Sequence, residues 1–254
     1  GATGVAKAVA AAPDGYTLVV GPDSAIAIGR LVNPSAFRFD PLKDLAPVGL
    51  LNTAPMVLVA RPGLPARSYA DFVQLAKAAP GKYNYASTGN GAGTHMAFAE
   101  FNARLGLDMV HVPYKGGPEA ITSVVRGETC CIMNQVQTVL PPYKAGKVRL
   151  LGTSGPQRTV FTPEVPTFAE QGFPMLSSEE WFGFYAPAQT PAAIVNAANQ
   201  AMRTALQDKS VIDSLNLLGL VPTPSSPQEM ADSQRAQSER WGPLVKKIGF
   251  TADS

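Results

Sequence analysis

The densest ligand-binding chemistry in the sequence lies in Tyr83–His95, which reads YNYASTGNGAGTH. A short apolar strand runs into a Gly-rich loop and then into the apolar stretch Met96–Leu105. Glycines let backbone N–H groups converge and let a ligand approach the main chain closely. The N–H groups at the start of the following helix, with its dipole, favour an anion. Ser87, Thr88, Asn90 and Thr94 add neutral donors, and Gly91 keeps the backbone open. The pattern suits a carboxylate or a phosphate; a tight strand–helix connection with no ligand is the plain alternative. It is not a Walker loop, because the Gly-Lys-Ser/Thr ending is absent. It is not a dinucleotide fingerprint either, because Asp108 precedes the next strand instead of closing it.

Other candidates sit at strand ends. Lys115-Gly116-Gly117 follow Val112-Pro113-Tyr114, at the carboxyl edge where open α/β sheets bind ligands. Lys115 faces either a cleft or solvent. Asn134 and Gln135 end the next strand at the same edge, and neutral amides there suit a polar ligand without proton transfer. His95 either binds ligand or bonds within the first helical turn; His111 reads as a packed strand histidine. Ser24 follows the corner Gly21-Pro22-Asp23 and has the side chain of a helix cap. Trp181 walls a pocket or fills a hinge core. Cys130 and Cys131 are strand neighbours whose side chains diverge, so they read as small buried hydrophobes. No Gly-x-Ser-x-Gly elbow, His-Glu-x-x-His pair or carboxylate pair with a placed base is present. The chemistry is that of binding, with no catalytic residue, metal or cofactor expected.

These residues must be positioned by a chain of 254 residues, 45% apolar and only 16% charged. That balance excludes a disordered chain. Lys and Arg exceed Asp and Glu by 21 to 19, with no basic stripe, which argues against nucleic acid. No apolar run approaches the ~18–20 residues of a membrane span. Two cysteines exclude a disulfide scaffold.

Strands are expected at Tyr16–Val20, Leu45–Leu51, Pro55–Ala60, Tyr83–Ser87, Met109–Val112, Cys130–Met133, Val148–Thr153 and Gly183–Ala186. Helices are expected after Ser68, over Thr94–Leu105 and Pro118–Arg126, around Val136–Ala145, and briefly near Thr167–Gln171. Three more follow over Pro191–Gln207, Val211–Leu218 and Pro227–Lys247. The alternation predicts an α/β fold of parallel βαβ units with helices on both sheet faces. The middle reads as an inserted domain, 58–182, and the ends, 1–57 and 183–254, as the other.

Six stretches together resemble the substrate-binding proteins of tripartite tricarboxylate transporters, the Bug or TctC family. They are AAPDGYTLVVG (Ala11–Gly21), YASTGNGAGTH (Tyr85–His95), MVHVPYKGG (Met109–Gly117), YKAGKVRL (Tyr143–Leu150), VPTFAEQG (Val165–Gly172) and WFGFYAPAQTP (Trp181–Pro191). The resemblance implies a type II periplasmic binding protein, two doubly wound domains joined by a two-strand hinge. It implies a non-catalytic periplasmic receptor that closes on a mono-, di- or tricarboxylate and presents it to the transporter's membrane subunits. Ser87, Thr88, Asn90, Gly91 and Thr94 would then belong to the second-domain loop, and Ser24 to the first-domain side. Asn134-Gln135 stand where the family commonly has Asp-Asn, so an amine-bearing ligand loses one partner.

The resemblance also implies a strand, a Pro/Gly-rich loop, a helix and a second strand ahead of the position matching Gly1. That loop is the other half of the carboxylate clamp, and without it the chain is expected to bind weakly or not at all. Two other classes fit parts of the sequence. One is the effector domain of a LysR-type regulator, which shares the fold. The other is a Cys-dependent racemase or decarboxylase, which requires a reactive thiol at Cys130 or Cys131.

Overall fold

The computed structural model describes residues 2–248; residue 1 and residues 249–254, the ends of the first expected domain, lie outside the described residues. The first part of the chain forms α1 (Ala2–Val9), β1 (Val19–Pro22), α2 (Gly29–Val32), α3 (Pro41–Asp44) and β2 (Leu45–Ala54). Next come β3 (Met56–Ala60), α4 (Tyr69–Ala78), β4 (Asn84–Ser87), α5 (Gly93–Leu105), β5 (Val110–Pro113) and α6 (Gly117–Arg126). They are followed by β6 (Cys131–Gln135), α7 (Val136–Lys144) and β7 (Arg149–Thr153). The last part holds β8 (Glu180–Pro187), α8 (Ala192–Ala205), α9 (Lys209–Leu217), β9 (Val221–Pro222) and α10 (Pro227–Ile248). The chain divides into two compact units. One runs to Thr53 and resumes at Glu180; the other spans Ala54–Glu179.

The Ala54–Glu179 unit is built on a five-stranded sheet in the order β5-β4-β6-β3-β7. Side chains on β3 alternate between its faces, as a strand requires. Met56, Leu58 and Ala60 pack with Tyr69 and Phe72 of α4 and Phe98 and Phe101 of α5. Val57 and Val59 pack with Ala120 and Val124 of α6 and Val136 and Val139 of α7. Both faces are therefore covered, which is why this strand reads as the unbroken apolar run MVLVA. Ser68 begins α4 with a capping box: its Oγ accepts from Asp71 N–H at 3.0 Å, and Asp71 Oδ2 accepts from Ser68 N–H at 3.1 Å.

The sheets are mixed, not wholly parallel. β4 runs parallel to β5 and β6, but β3 runs antiparallel to β6 and β7. A crossover helix is what enforces parallel pairing. β3 is adjacent neither to β2, which lies in the other sheet, nor to β4, which α4 joins to it, so no crossover helix sets its direction against its neighbours β6 and β7. A second departure is the helix expected near Thr167–Gln171, which is a set of turns. Glu170 Oε2 accepts from Thr167 N–H at 2.6 Å and Thr167 Oγ1 accepts from Glu170 N–H at 3.0 Å. This capping pair closes a single turn, and Gly172, at φ 89°, ends it.

The other unit holds a four-stranded sheet in the order β1-β8-β2-β9, with β1 antiparallel to β8 and β2 antiparallel to β9. Buried Asn199 of α8 ties helix to sheet, donating through Nδ2 to the carbonyls of Val48 and Ser225, both at 2.8 Å. Ser225 Oγ in turn accepts from Leu50 N–H at 3.0 Å. Among the described residues no helix is long and apolar enough to cross a membrane.

Candidate functional site

Because β4, β5 and β6 run parallel, their carboxyl ends meet at one edge of the Ala54–Glu179 sheet. Ser87 pairs with Pro113 there, and β6 ends at Asn134 and Gln135. The Gly-rich loop after β4 is held by its own side chains. Thr94 Oγ1 accepts from Thr88 N–H at 2.9 Å and lies 3.0 Å from Thr88 Oγ1. Ser87 Oγ accepts from Gly89 N–H at 3.2 Å and donates to Gly89 C=O at 3.1 Å. Gly91 N–H donates to His95 Nδ1 at 3.1 Å. Gly89 and Gly91 have φ of 134° and 74°, conformations that side chains resist.

The sequence reads Ser87, Thr88, Gly91 and Thr94 as ligand contacts and His95 as either a ligand contact or a bond within the first helical turn. The structure gives them interior work: Ser87 is fully buried, Thr94 and His95 are buried, and all five join the loop's internal bonds. What the loop presents outward is different. Ala92, at the N-cap of α5, has no side-chain acceptor to occupy the first-turn N–H groups of Gly93 and Thr94. Asn90 is exposed at the loop tip.

The same edge carries two buried polar atoms without partners. Asn134 Oδ1 accepts from Gln135 N–H at 2.8 Å, but Nδ2 of this buried amide has no hydrogen-bond partner. The first turn of α6 is its neighbour, and α6 starts from Gly116 with no side-chain cap. Ser154, just past β7, also buries an unpartnered hydroxyl. Asn134 and Thr153 both pair with Val57, so these groups flank the start of β3 from either side. Ser154 escaped the sequence reading. Its signal was a polar Thr-Ser pair closing the apolar strand Leu150–Gly152.

Charge is sparse here. Lys115 is exposed, and its N–H donates to Glu119 Oε2 at 3.3 Å. His95 and His111 are both held below the ordinary imidazole range. Burial is the cause for His95; burial and then the neighbouring His95 bring His111 to about 4. At neutral pH the edge therefore offers neutral N–H donors. Ser87 Oγ and His111 Nε2 lie 2.6 Å apart, superficially a nucleophile and base. Ser87 is sealed from solvent and already bonded to Gly89, so it cannot reach a substrate.

The remaining candidates lie in the other unit. Ser24 does not cap a helix with its hydroxyl. Asp23 does the capping, accepting from Ser24 N–H at 2.6 Å, and Ser24–Ile28 is a π-helical segment. Trp181 is buried, and its indole N–H donates to Gln237 Oε1, whose amide donates to Asp23 Oδ2 at 3.1 Å. It packs within its unit as a pinned core residue. Cys130 and Cys131 are free and buried, and burial pushes the Cys131 thiol well up, the opposite of a reactive thiolate.

Residues 1–250 match the tripartite tricarboxylate transporter family receptor. A UPF0065 protein from the tcbD-tcbE intergenic region of Pseudomonas sp. strain P51 is 34% identical over 252 residues, 96% of this chain and 73% of that protein. A solved structure described as a periplasmic transporter is 35% identical, with a TM-score of 0.83 over 98% of this chain and 83% of its own. Rpa4515 of R. palustris, solved with adipate, is 28% identical, also with a TM-score of 0.83, over 99% of this chain and 84% of its own.

Proposed function

This chain belongs to the tripartite tricarboxylate transporter receptor family, and we propose that it captures a small carboxylate in the periplasm for delivery to such a transporter. The family is one of receptors, not enzymes, and its members have the two-domain type II binding-protein fold. One observation carries the specific reading: the unpartnered amide nitrogen of Asn134 lies beside the uncapped start of α6, on the same sheet edge as the uncapped start of α5. A buried donor without an acceptor costs free energy unless a ligand completes it. The helix starts supply further N–H groups and a favourable dipole for an anion.

In this reading Gly93 and Thr94 N–H groups and the Asn90 amide hold one carboxylate. Asn134, with Gln135 and Ser154, meets a second polar group of the ligand. Ser87, Thr88, Gly91 and His95 shape the loop, and exposed Lys115 contributes attraction at longer range. Ser24 contributes a hydroxyl from the other unit, and Trp181 stiffens that unit. The domains expected at 1–57 with 183–254 and at 58–182 close on the ligand, and the membrane subunits recognise the closed form.

The test is thermal melting of the intact gene product against C4–C8 di-, tri- and aromatic carboxylates, adipate first because a relative binds it. A ligand bound only by the native state raises the melting temperature in step with RT ln(1 + [L]/Kd), about 2.7 kcal/mol at 100-fold excess over Kd. Upward shifts with one or more acids, and none with their amides, support the reading. No shift across the panel overturns it.

A further inference from the structure

The chain has two histidines, 16 residues apart in sequence, and the fold stacks them against each other beneath the Gly-rich loop. Their ring centroids are 3.9 Å apart and their planes 3° from parallel. Each ring holds a different part of the loop. His95 Nδ1 accepts from Gly91 N–H, and His111 Nε2 meets Ser87 Oγ, which binds both polar groups of Gly89. We propose that His95 and His111 act as a neutral stacked pair that positions the anion loop, and that acidification releases the loop and with it the ligand. This regulation rests on the reading of the loop as a carboxylate site.

The geometry makes the two rings unequal. A protonated Nδ1 on His95 would point an N–H at the Gly91 N–H, donor against donor. The Gly91 bond therefore exists only while His95 is neutral, with its proton on Nε2. His111 tolerates a proton on Nε2, because Ser87 Oγ accepts equally well while donating to Gly89 C=O. Two cations this close would repel strongly, so protonating either ring opposes protonating the other. Tyr85 of β4 also faces the pair, stacked 5.0 Å from His111 and 6.4 Å from His95. Its phenol stays neutral, because burial raises its pKa. Glu100, further along α5, is held by Arg104 at 2.7 Å.

Two substitutions separate the roles. Asn carries an acceptor oxygen close to where His places Nδ1, so His95→Asn preserves the Gly91 bond without titrating. His95→Phe keeps a stackable ring and loses the bond. Long-range ¹H–¹⁵N spectra of the parent protein are expected to show the His95 proton on Nε2. The Gly91 amide shift should move with the His95 midpoint, below its ordinary pKa of about 6.5. In His95→Asn the Gly91 amide should stay hydrogen-bonded and flat with pH. Adipate affinity should be at least about tenfold weaker in His95→Phe than in His95→Asn near pH 7.5. Dividing the parent's Kd by that of His95→Asn cancels adipate's own protonation. This ratio should rise as pH falls from near 7.5 to near 4.5.

A His95 that titrates at its ordinary pKa, with the Gly91 amide unmoved, overturns the proposal, as does a flat ratio. Absence of adipate binding in the parent, with the Gly91 amide still tracking His95, instead removes adipate as ligand and leaves the positioning role standing.

Discussion

Asn134 and Gly117 are coupled by space: a Cβ added to Gly117 would sit 3.8 Å from Asn134 Nδ2. The nearest other atom, Thr138 Cγ2, would lie 3.7 Å away, so the methyl meets only ordinary van der Waals contacts. Gly117 opens α6 in helical conformation, so Gly117→Ala should stabilise the fold by about 0.4–1 kcal/mol through the unfolded chain's entropy. The same methyl covers the amide donor offered to the ligand. Losing a hydrogen bond to a charged group costs about 1.5–3 kcal/mol, or roughly 10- to 100-fold in affinity. Calorimetry with adipate alongside urea denaturation should therefore show tighter folding and weaker binding in one variant. Unchanged affinity would remove Asn134 from the site.

Gly91 tests the backbone of the loop. Its φ of 74° is a left-handed conformation, which costs an L side chain about 1–2 kcal/mol. Gly91→Ala should lower unfolding free energy by that amount. Gly91→Asn should lose less, since asparagine tolerates this region. Denaturant midpoints at neutral pH order the three proteins, and equal losses for Ala and Asn would contradict the assigned conformation.

The strand–loop–helix around Tyr83–Leu105, the Ser68 cap and the proline in the first turn of α6 were legible because each depends on residues adjacent in sequence. What the loop side chains do was not legible. Ser87 looked like a ligand donor because its interior partner, His111, comes from a strand 24 residues away. Likewise Asp23, not Ser24, caps the segment after β1, and it is held by Gln237 from the far end of the chain. The direction of β3 escaped for a related reason: local periodicity reports which faces are buried but carries no information about the neighbour's orientation. The family resemblance came from six motifs read jointly, and residues 1–250 match that family.

Cys130 and Cys131 should be silent in the native state. Cys131 is completely buried and its Sγ donates to Asn84 C=O at 3.7 Å. Burial disfavours its thiolate, the form that attacks disulfide reagents. Titration with a chromogenic disulfide should find no rapidly reacting thiol in the folded protein and two after denaturation. A fast native thiol at neutral pH would reopen the Cys-dependent chemistry that the fold argues against.

The two imidazoles and Asp23 should make stability respond to pH with opposite signs. In the Ala54–Glu179 unit both imidazoles have folded pKa values below the unfolded one of about 6.5, so the unfolded chain binds protons more readily. Their neutral state stabilises fully above about pH 6.5. That contribution falls with pH until His111 protonates at about 4. Asp23 behaves in the reverse sense. Burial, then the charge of Glu180, raises its pKa from 3.8 to about 8. Its protonated form stabilises fully below pH 3.8, and that contribution is lost progressively as pH rises to about 8, then stays constant. Asp23→Asn cannot ionise, so its stability relative to the parent should climb between about pH 4 and pH 8 and level off above. His111→Phe should gain relative to the parent only as pH falls from about 6.5 toward 4. Urea unfolding of the three proteins across pH 4–9, followed by a probe in each unit, resolves the two limbs. A difference curve for Asp23→Asn that is flat over this range would show the carboxyl ionising normally. It would also remove the neutral Asp23–Gln237–Trp181 chain as the interior anchor of its unit.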